Sequence, residues 1–315
     1  MELDRTQLST LACVVGSGSF DAAAQELRVT PSAVSQRIRA LEQHVGQVLV
    51  LRTRPASPTA AGRRLVRLAG QVGLLEREAA AELSRASLVV PLAVNADSLS
   101  TWFPEALAGL PPDVVVQVRR VDQDVTADLL RDGSVMAAVT SDARPVQGCS
   151  SQPLGAMRYV PVAAPGNGPS AGSPRAPADW GAGPVVAFDG YDALHTRVLH
   201  GTGVVPRAVH HVPSQDAFLT VVRAGLGWGM LPEVVARPEV AAGRLERVGG
   251  GRTLDVPLHW QRWRLRSPVL ADLTERVVQA AAAVLVAPPA AIGAGVVATG
   301  TVGRPLGSPG PRRRF

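Results

Sequence analysis

Ser32, Ser35, Gln36 and Arg39 recur at helical spacing within PSAVSQRIRALEQHV, residues 31–45. Short donors and acceptors come first, and longer ones follow a turn later. That order suits a surface that meets phosphates and then base edges: glutamine can pair bidentately with adenine, and arginine grips guanine or phosphate. Pro31 and Arg37 belong to the same basic helix and are counted with its DNA-facing set. Val34, Ile38, Leu41 and Val45, spaced 4, 3 and 4, give this helix a buried stripe. Thr30 is placed to cap it, and Pro31 takes its first position, where a missing N–H costs nothing.

Such a face acts only if other elements hold it out from the body. Leu8, Leu11, Ala12 and Val15 predict one preceding helix, and Phe20, Ala23, Ala24 and Leu27 a second, capped by Ser19. Ala22, Ala23 and Ala24 let a neighbouring helix come close, and Arg28 and Val29 form the turn. This is the pattern of a helix-turn-helix, which sets its second helix in the major groove. Gly46 ends that helix, and QVLVLRTRPASPTAAG then reads as strand, basic turn and strand: a wing carrying Arg52 and Arg54, with Thr59 at its end. From Arg28 to Arg67 there are eight arginines and one acid, Glu42, a local charge of +7.

Residues 60–86 carry Leu65, Leu68, Val72, Leu75, Ala79 and Leu83 at heptad-like spacing. A lone helix with such a seam needs a partner, and a second copy is the simplest one.

Beyond it, LVVPLAVN, DVVVQVRRV and VMAAVTS read as strands, with helices at about Ser100–Leu110 and Val125–Arg131 between them. After a Pro/Gly/Ser loop, PVVAFD, AVHHV and AGLGWGMLP make a second such unit; LDVPLHWQRWRL is a returning strand, and a last helix follows from Ser267. Repeated strand–helix units predict an α/β fold with a parallel sheet. Small molecules bind such folds at the carboxyl ends of strands. Asn95, Asp97, Ser98, Ser100 and Thr101 follow the first strand, where hydroxyls and free N–H groups suit a carboxylate and Asp97 an ammonium. Asp122 and Asp124 end the second strand on the same edge and suit a side-chain cation.

Composition excludes other classes. Residues 1–86 are net +3, residues 88–287 net −1, and the last 28 add four arginines and no acid, so the overall charge of +6 does not make the middle a nucleic-acid binder. All 32 basic residues are Arg. The two cysteines, Cys13 on an apolar helix face and Cys149 in a polar connecting segment, rule out a disulfide framework and fit a reducing compartment. His195, His200, His210 and His211 lack metal-ligand spacing, and no nucleophile elbow, phosphate loop or dinucleotide fingerprint is present. Nothing calls for a cofactor or an enzyme. The N-terminus does not read as a signal peptide. The uncharged run 277–303 is broken by Pro288-Pro289 and glycines, and reads as a helix end and tail rather than a membrane span. A ligand-independent architectural DNA binder is the competing class, but it would not need a two-lobed half.

SFDAAAQEL, VTPSAVSQRIRALE and PTAAG resemble the N-terminal signature of LysR-type transcriptional regulators. LVLRTRP, NADSLSTWFPEAL, QDVTADLLRDGSVMAAVT, VPSQDAFLTVVRAGLGWGMLPE and LHWQRW resemble the subgroup that responds to lysine and arginine, over nearly 280 residues. The resemblance implies a winged helix-turn-helix over 1–60, a dimerising linker helix over 61–86 and a two-lobed, periplasmic-binding-protein-like effector domain over 87–287. Residues 288–315 match nothing in the pattern and are expected to be a disordered basic tail. It further implies a cytoplasmic regulator, a homodimer or dimer of dimers. Its expected partners are promoter DNA, L-lysine or L-arginine, and RNA polymerase.

Overall fold

The computed structural model describes residues 2–84, 87–121, 123–166 and 182–287. The tail 288–315, most of the Pro/Gly/Ser loop and Asp122 lie outside them.

Three helices open the chain: α1 (Arg5–Ser17), α2 (Phe20–Glu26) and α3 (Pro31–Val45). The capping residues act as their types predict. Ser19 Oγ accepts from Ala22 N at 3.3 Å and Thr30 Oγ1 from Ala33 N at 3.2 Å, while Gly46 takes φ 72° to close α3. Arg28, at φ 54°, makes the turn. Val34, Ile38 and Leu41 are buried against Leu8, Leu11, Val14, Ala23 and Ala24. The wing is a pair of two-residue antiparallel strands, β1 (Val50–Leu51) and β2 (Ser57–Pro58). Glu42 ties it to α3, accepting from Leu49 N at 2.8 Å and Val50 N at 3.3 Å.

The linker helix α4 (Ala60–Ser84) follows. Its seam is divided. Leu65 and Leu68 pack on the core of their own helix-turn-helix, which corrects the expectation that they face a second copy. Leu74, outside the expected seam, is fully buried in the core of the C-terminal half. Leu75 is 42% exposed, Leu83 is 89% exposed and Ala79 is exposed.

Nine strands then form one sheet among the described residues. In chain order the elements are β3 (Leu88–Val94), α5 (Ala96–Ser100), α6 (Phe103–Leu107), β4 (Val114–Arg120), α7 (Gln123–Asp132), β5 (Ala137–Thr140), β6 (Cys149–Ala163), β7 (Val185–Ala187), α8 (Leu194–Leu199), β8 (Val209–His211), α9 (Gln215–Arg223), β9 (Trp228–Pro232), α10 (Glu233–Ala241), β10 (Glu246–Arg247), β11 (Leu254–Trp263) and α11 (Pro268–Val284). The spatial order is β4-β3-β5-β11-β6-β9-β7-β8, with β10 on β6. The parallel pairing expected of the repeated strand–helix units holds inside each lobe: β3 with β4 and β5, and β7 with β8 and β9. It is antiparallel where β6 and β11 run side by side from Leu254↔Tyr159 to Trp263↔Cys149 and join the lobes. The first helix starts at Ala96 rather than Ser100, because Asn95 already leaves the strand.

Trp102, Phe103, Trp260 and Trp263, each at most 1% exposed, anchor the main core, and Val160, Val162, Val186, Phe218 and Val222 a smaller one in the second lobe. Cys149 corrects its expected place in a polar connection: it begins β6, is buried, and burial pushes its thiol up to about 11. Burial pushes Cys13 up to about 12. Thiolates, the reactive form, are therefore disfavoured at both.

Candidate functional sites: a DNA-reading surface and an interlobe cleft

On α3, Pro31, Ser32, Gln36 and Arg39 are exposed and Ser35 is half-buried beside them; Arg52 and Arg54 are exposed on the wing. Arg52 lies 5.0 Å over the ring of Phe20, a cation–π contact that braces the wing against α2. Two residues of the expected set have other work. Arg37 turns inward, its Nη1 3.5 Å from the Oγ1 of buried Thr10 on α1. Thr59 caps α4, accepting from Gly62 N at 3.0 Å and donating to Val48 O at 2.8 Å. Thr30 likewise combines its cap with a 2.9 Å hydrogen bond between its hydroxyl and that of Ser32. Side-chain periodicity places Arg37 on the same helix but cannot say which neighbour it reaches.

The second site is a cavity of about 210 Å³ between the lobes. Strands β3, β4 and β7 all end on it. Asn95, Ala96 and Asp97 line it from the start of α5, Val121 from the end of β4, Tyr159 and Val256 from the two long strands, and Phe188, Asp189, Tyr191 to Leu194 and Arg197 from the second lobe. Three carboxylates, Asp97, Asp189 and Asp192, thus face one guanidinium, Arg197.

Asp97 is the junction of the site. Tyr159 Oη donates to its Oδ2 at 2.5 Å, and the Gln215 amide donates to its Oδ1. Burial raises the Asp97 carboxyl above the ordinary carboxylate range; the bonds from Tyr159 and Gln215 pull it back, and Asp192 adds to the rise. The Tyr159 phenol is raised well above its usual value by burial and by Asp97. Asp192 accepts from Phe188 N at 2.8 Å and Leu194 N at 3.0 Å, and Asp189 from Tyr191 N at 2.8 Å and Asp192 N at 3.0 Å. A carboxylate has room for further donors beyond these.

Of the residues expected to bind an effector, Asn95 and Asp97 line the cavity. Ser98 is fully buried and does not line it. Ser100 and Thr101 correct the expectation: both hydroxyls donate to the carbonyl of Asp97, at 3.2 and 2.5 Å, and stabilise their own turn. Asp122 and the side chain of Asp124 lie outside the described residues. Tyr159, Asp189, Asp192, Arg197 and Gln215 were missed. FDGYD, at the carboxyl end of β7, carried the signal: the strand-end rule that found Asn95 and Asp97 applies equally to the second lobe. Among the described residues, no three His, Cys, Asp or Glu side chains converge to hold a metal, and no helix is long and apolar enough to cross a membrane.

A winged helix-turn-helix joined by one long helix to a two-lobed α/β domain with a polar cleft is the architecture of a DNA-binding transcriptional regulator. Residues 6–63 match the model described as the bacterial regulatory helix-turn-helix protein, lysR family, and residues 87–282 that of the LysR substrate binding domain. The chain belongs to the LysR family. It is 48% identical over 287 residues to the HTH-type transcriptional regulator LysG of Mycobacterium tuberculosis, covering 89% of this chain and 94% of the relative. Its fold is similar to the crystal structure of ArgP from Mycobacterium tuberculosis, with TM-score 0.81 and 47% identity over 91% of this chain and 100% of that one. It is also similar to full-length LysG from Corynebacterium glutamicum with bound effector Arg, with TM-score 0.76 and 42% identity over 90% of this chain and 100% of the other.

Proposed function

We propose that this regulator senses a basic amino acid, L-lysine or L-arginine, and thereby controls transcription of genes for amino-acid export or metabolism. The observation that carries the reading is the charge of the cleft: Asp97, Asp189 and Asp192 against Arg197. A basic amino acid brings two cations and one carboxylate, which is the complement of that set. Asp97 takes the α-ammonium, Arg197 the carboxylate, and Asp189 and Asp192 the distal cation. The relative with arginine bound supports a basic amino acid as the effector.

The protein acts as a homodimer or dimer of dimers on promoter DNA, where RNA polymerase is the further partner; the cytoplasm is where it meets both. The exposed Leu75, Ala79 and Leu83 on α4 supply the apolar stripe for a second copy. Closure of the lobes on the ligand changes the spacing of the paired recognition helices, because the ligand binds one arrangement better than the other. Isothermal titration of the full-length protein with L-lysine, L-arginine and L-leucine tests the sensing role. Heat from the two basic amino acids alone is expected. Equal binding of leucine, or no binding of any, removes the assignment and leaves the DNA-binding role standing.

A further inference from the structure

Asp97 stands on α5 of the first lobe, and Gln215 is the first residue of α9 in the second. Their hydrogen bond therefore crosses between lobes. Gln215 does not itself line the cavity, whereas Asp97 does. Tyr159, on the strand shared by both lobes, holds the other oxygen of the same carboxylate. A second contact crosses the cleft beside them: Arg120, at the end of β4, lies 5.8 Å over the ring of Phe188, which follows β7.

We infer that Gln215 is a positioning residue for effector recognition: from the second lobe it fixes the carboxylate of Asp97, so that an ammonium held by Asp97 also holds the lobes together. The inference rests on the basic amino-acid reading above. It explains why the donor is an amide. A neutral donor orients the carboxylate without cancelling its charge, whereas a lysine or arginine there would neutralise it. It also gives the ligand a route to the second lobe through Asp97, without a direct contact from its ammonium.

Two substitutions in the full-length protein test this, with wild-type titrated alongside. Gln215→Leu keeps the bulk and removes the donor. It is expected to weaken L-arginine and L-lysine binding about tenfold, the loss of one hydrogen bond to a charged group, and to lower the thermal midpoint, so binding is titrated well below the midpoint of both proteins. Gln215→Glu separates position from charge. With its proton, the introduced carboxyl group still donates to Asp97; without it, the two carboxylates repel. Among the described residues, the titratable and charged groups around the pair are Arg120, Tyr159, Asp189, Asp192, His195 and Arg197. Because His195 titrates too, the readout is the affinity of the variant relative to wild-type at each pH.

Positioning predicts that this ratio approaches one at about pH 5 and falls severalfold by about pH 8. Simple charge attraction predicts the reverse, because a second anion should tighten a cationic ligand, and a ratio that rises with pH would overturn the inference. So would wild-type affinity in Gln215→Leu. If wild-type binds neither basic amino acid, the effector reading fails and takes the inference with it. If wild-type binds and neither variant differs from it, the positioning role alone fails.

Discussion

Gly70 of α4 lies directly against the indole of Trp263: a Cβ built on the glycine would stand 2.8 Å from Cη2 of that ring. Trp263 is fully buried, with its Nε1 donating to Leu130 O at 3.4 Å, so the ring has little room to retreat. Around this contact, Arg67 Nη1 donates to Gln147 O at 2.5 Å and the Ser267 hydroxyl bonds Glu78. The linker helix is thus seated on the same long strand, β11, whose Val256 lines the cleft. Gly70→Ala is expected to destabilise the protein by about 1–3 kcal/mol through overpacking. Chemical denaturation checks it; an unchanged midpoint would mean that the ring gives way without cost.

Gln36 and Arg54 are expected to divide labour on DNA. Gln36→Ala should relax base preference, at about 1–3 kcal/mol for the position that it reads. Arg54→Ala, exposed on the wing, should weaken all sequences alike and flatten the salt dependence by about one phosphate contact. Binding measured on operator and scrambled duplexes over a salt series separates the two. Equal loss of specificity in both variants would sink the division.

Arg37 faces Thr10, so Arg37→Ala is expected to cost stability of the α1–α3 packing, about 1 kcal/mol, and to leave the ratio of specific to nonspecific DNA affinity unchanged. A fall in that ratio, with stability intact, would return Arg37 to the DNA-reading set.

Glu239 on α10 is 6% exposed and is clamped by two arginines: Arg223 Nε at 2.7 Å and Arg244 Nε at 2.8 Å both reach Oε2. Those hydrogen bonds hold its carboxyl down to about 2. A depressed carboxylate contributes stability that is complete above its unfolded value and is lost as pH falls through the folded one. The clamp is therefore expected to weaken from about pH 4.5 down to about pH 2. Glu239→Gln should lose about 2 kcal/mol at neutral pH, discounted for the half-exposed Arg244. Its stability should then converge on that of wild-type in acid. A constant gap across pH would place the loss in packing instead.

The DNA-reading half was legible from residues 19–59 because its information is local. Helix caps, a 4-3-4 apolar stripe and a proline at the first helical turn act over a few residues, so Thr30, Pro31 and Val34 could be assigned from spacing alone. The same holds for the strands of each lobe, which alternate with helices. Pairing direction was less accessible, since β6 and β11 lie about a hundred residues apart and nothing in either states that they run antiparallel.

The effector cleft shows the boundary most clearly. Sequence by itself determined that a carboxylate, Asp97, follows a strand end, and that Leu75 and Leu83 sit on a long amphipathic helix. Tertiary structure decided that Asp97 meets Tyr159 and Gln215, residues 62 and 118 positions away, and that Leu65 and Leu68 pack, partly buried, on the core of their own helix-turn-helix. The physical reason is common to both. Periodicity and capping say which way a side chain leaves its own element, but its partner is set by which distant elements close chain loops to reach it, and that choice is made by the packing of the whole core.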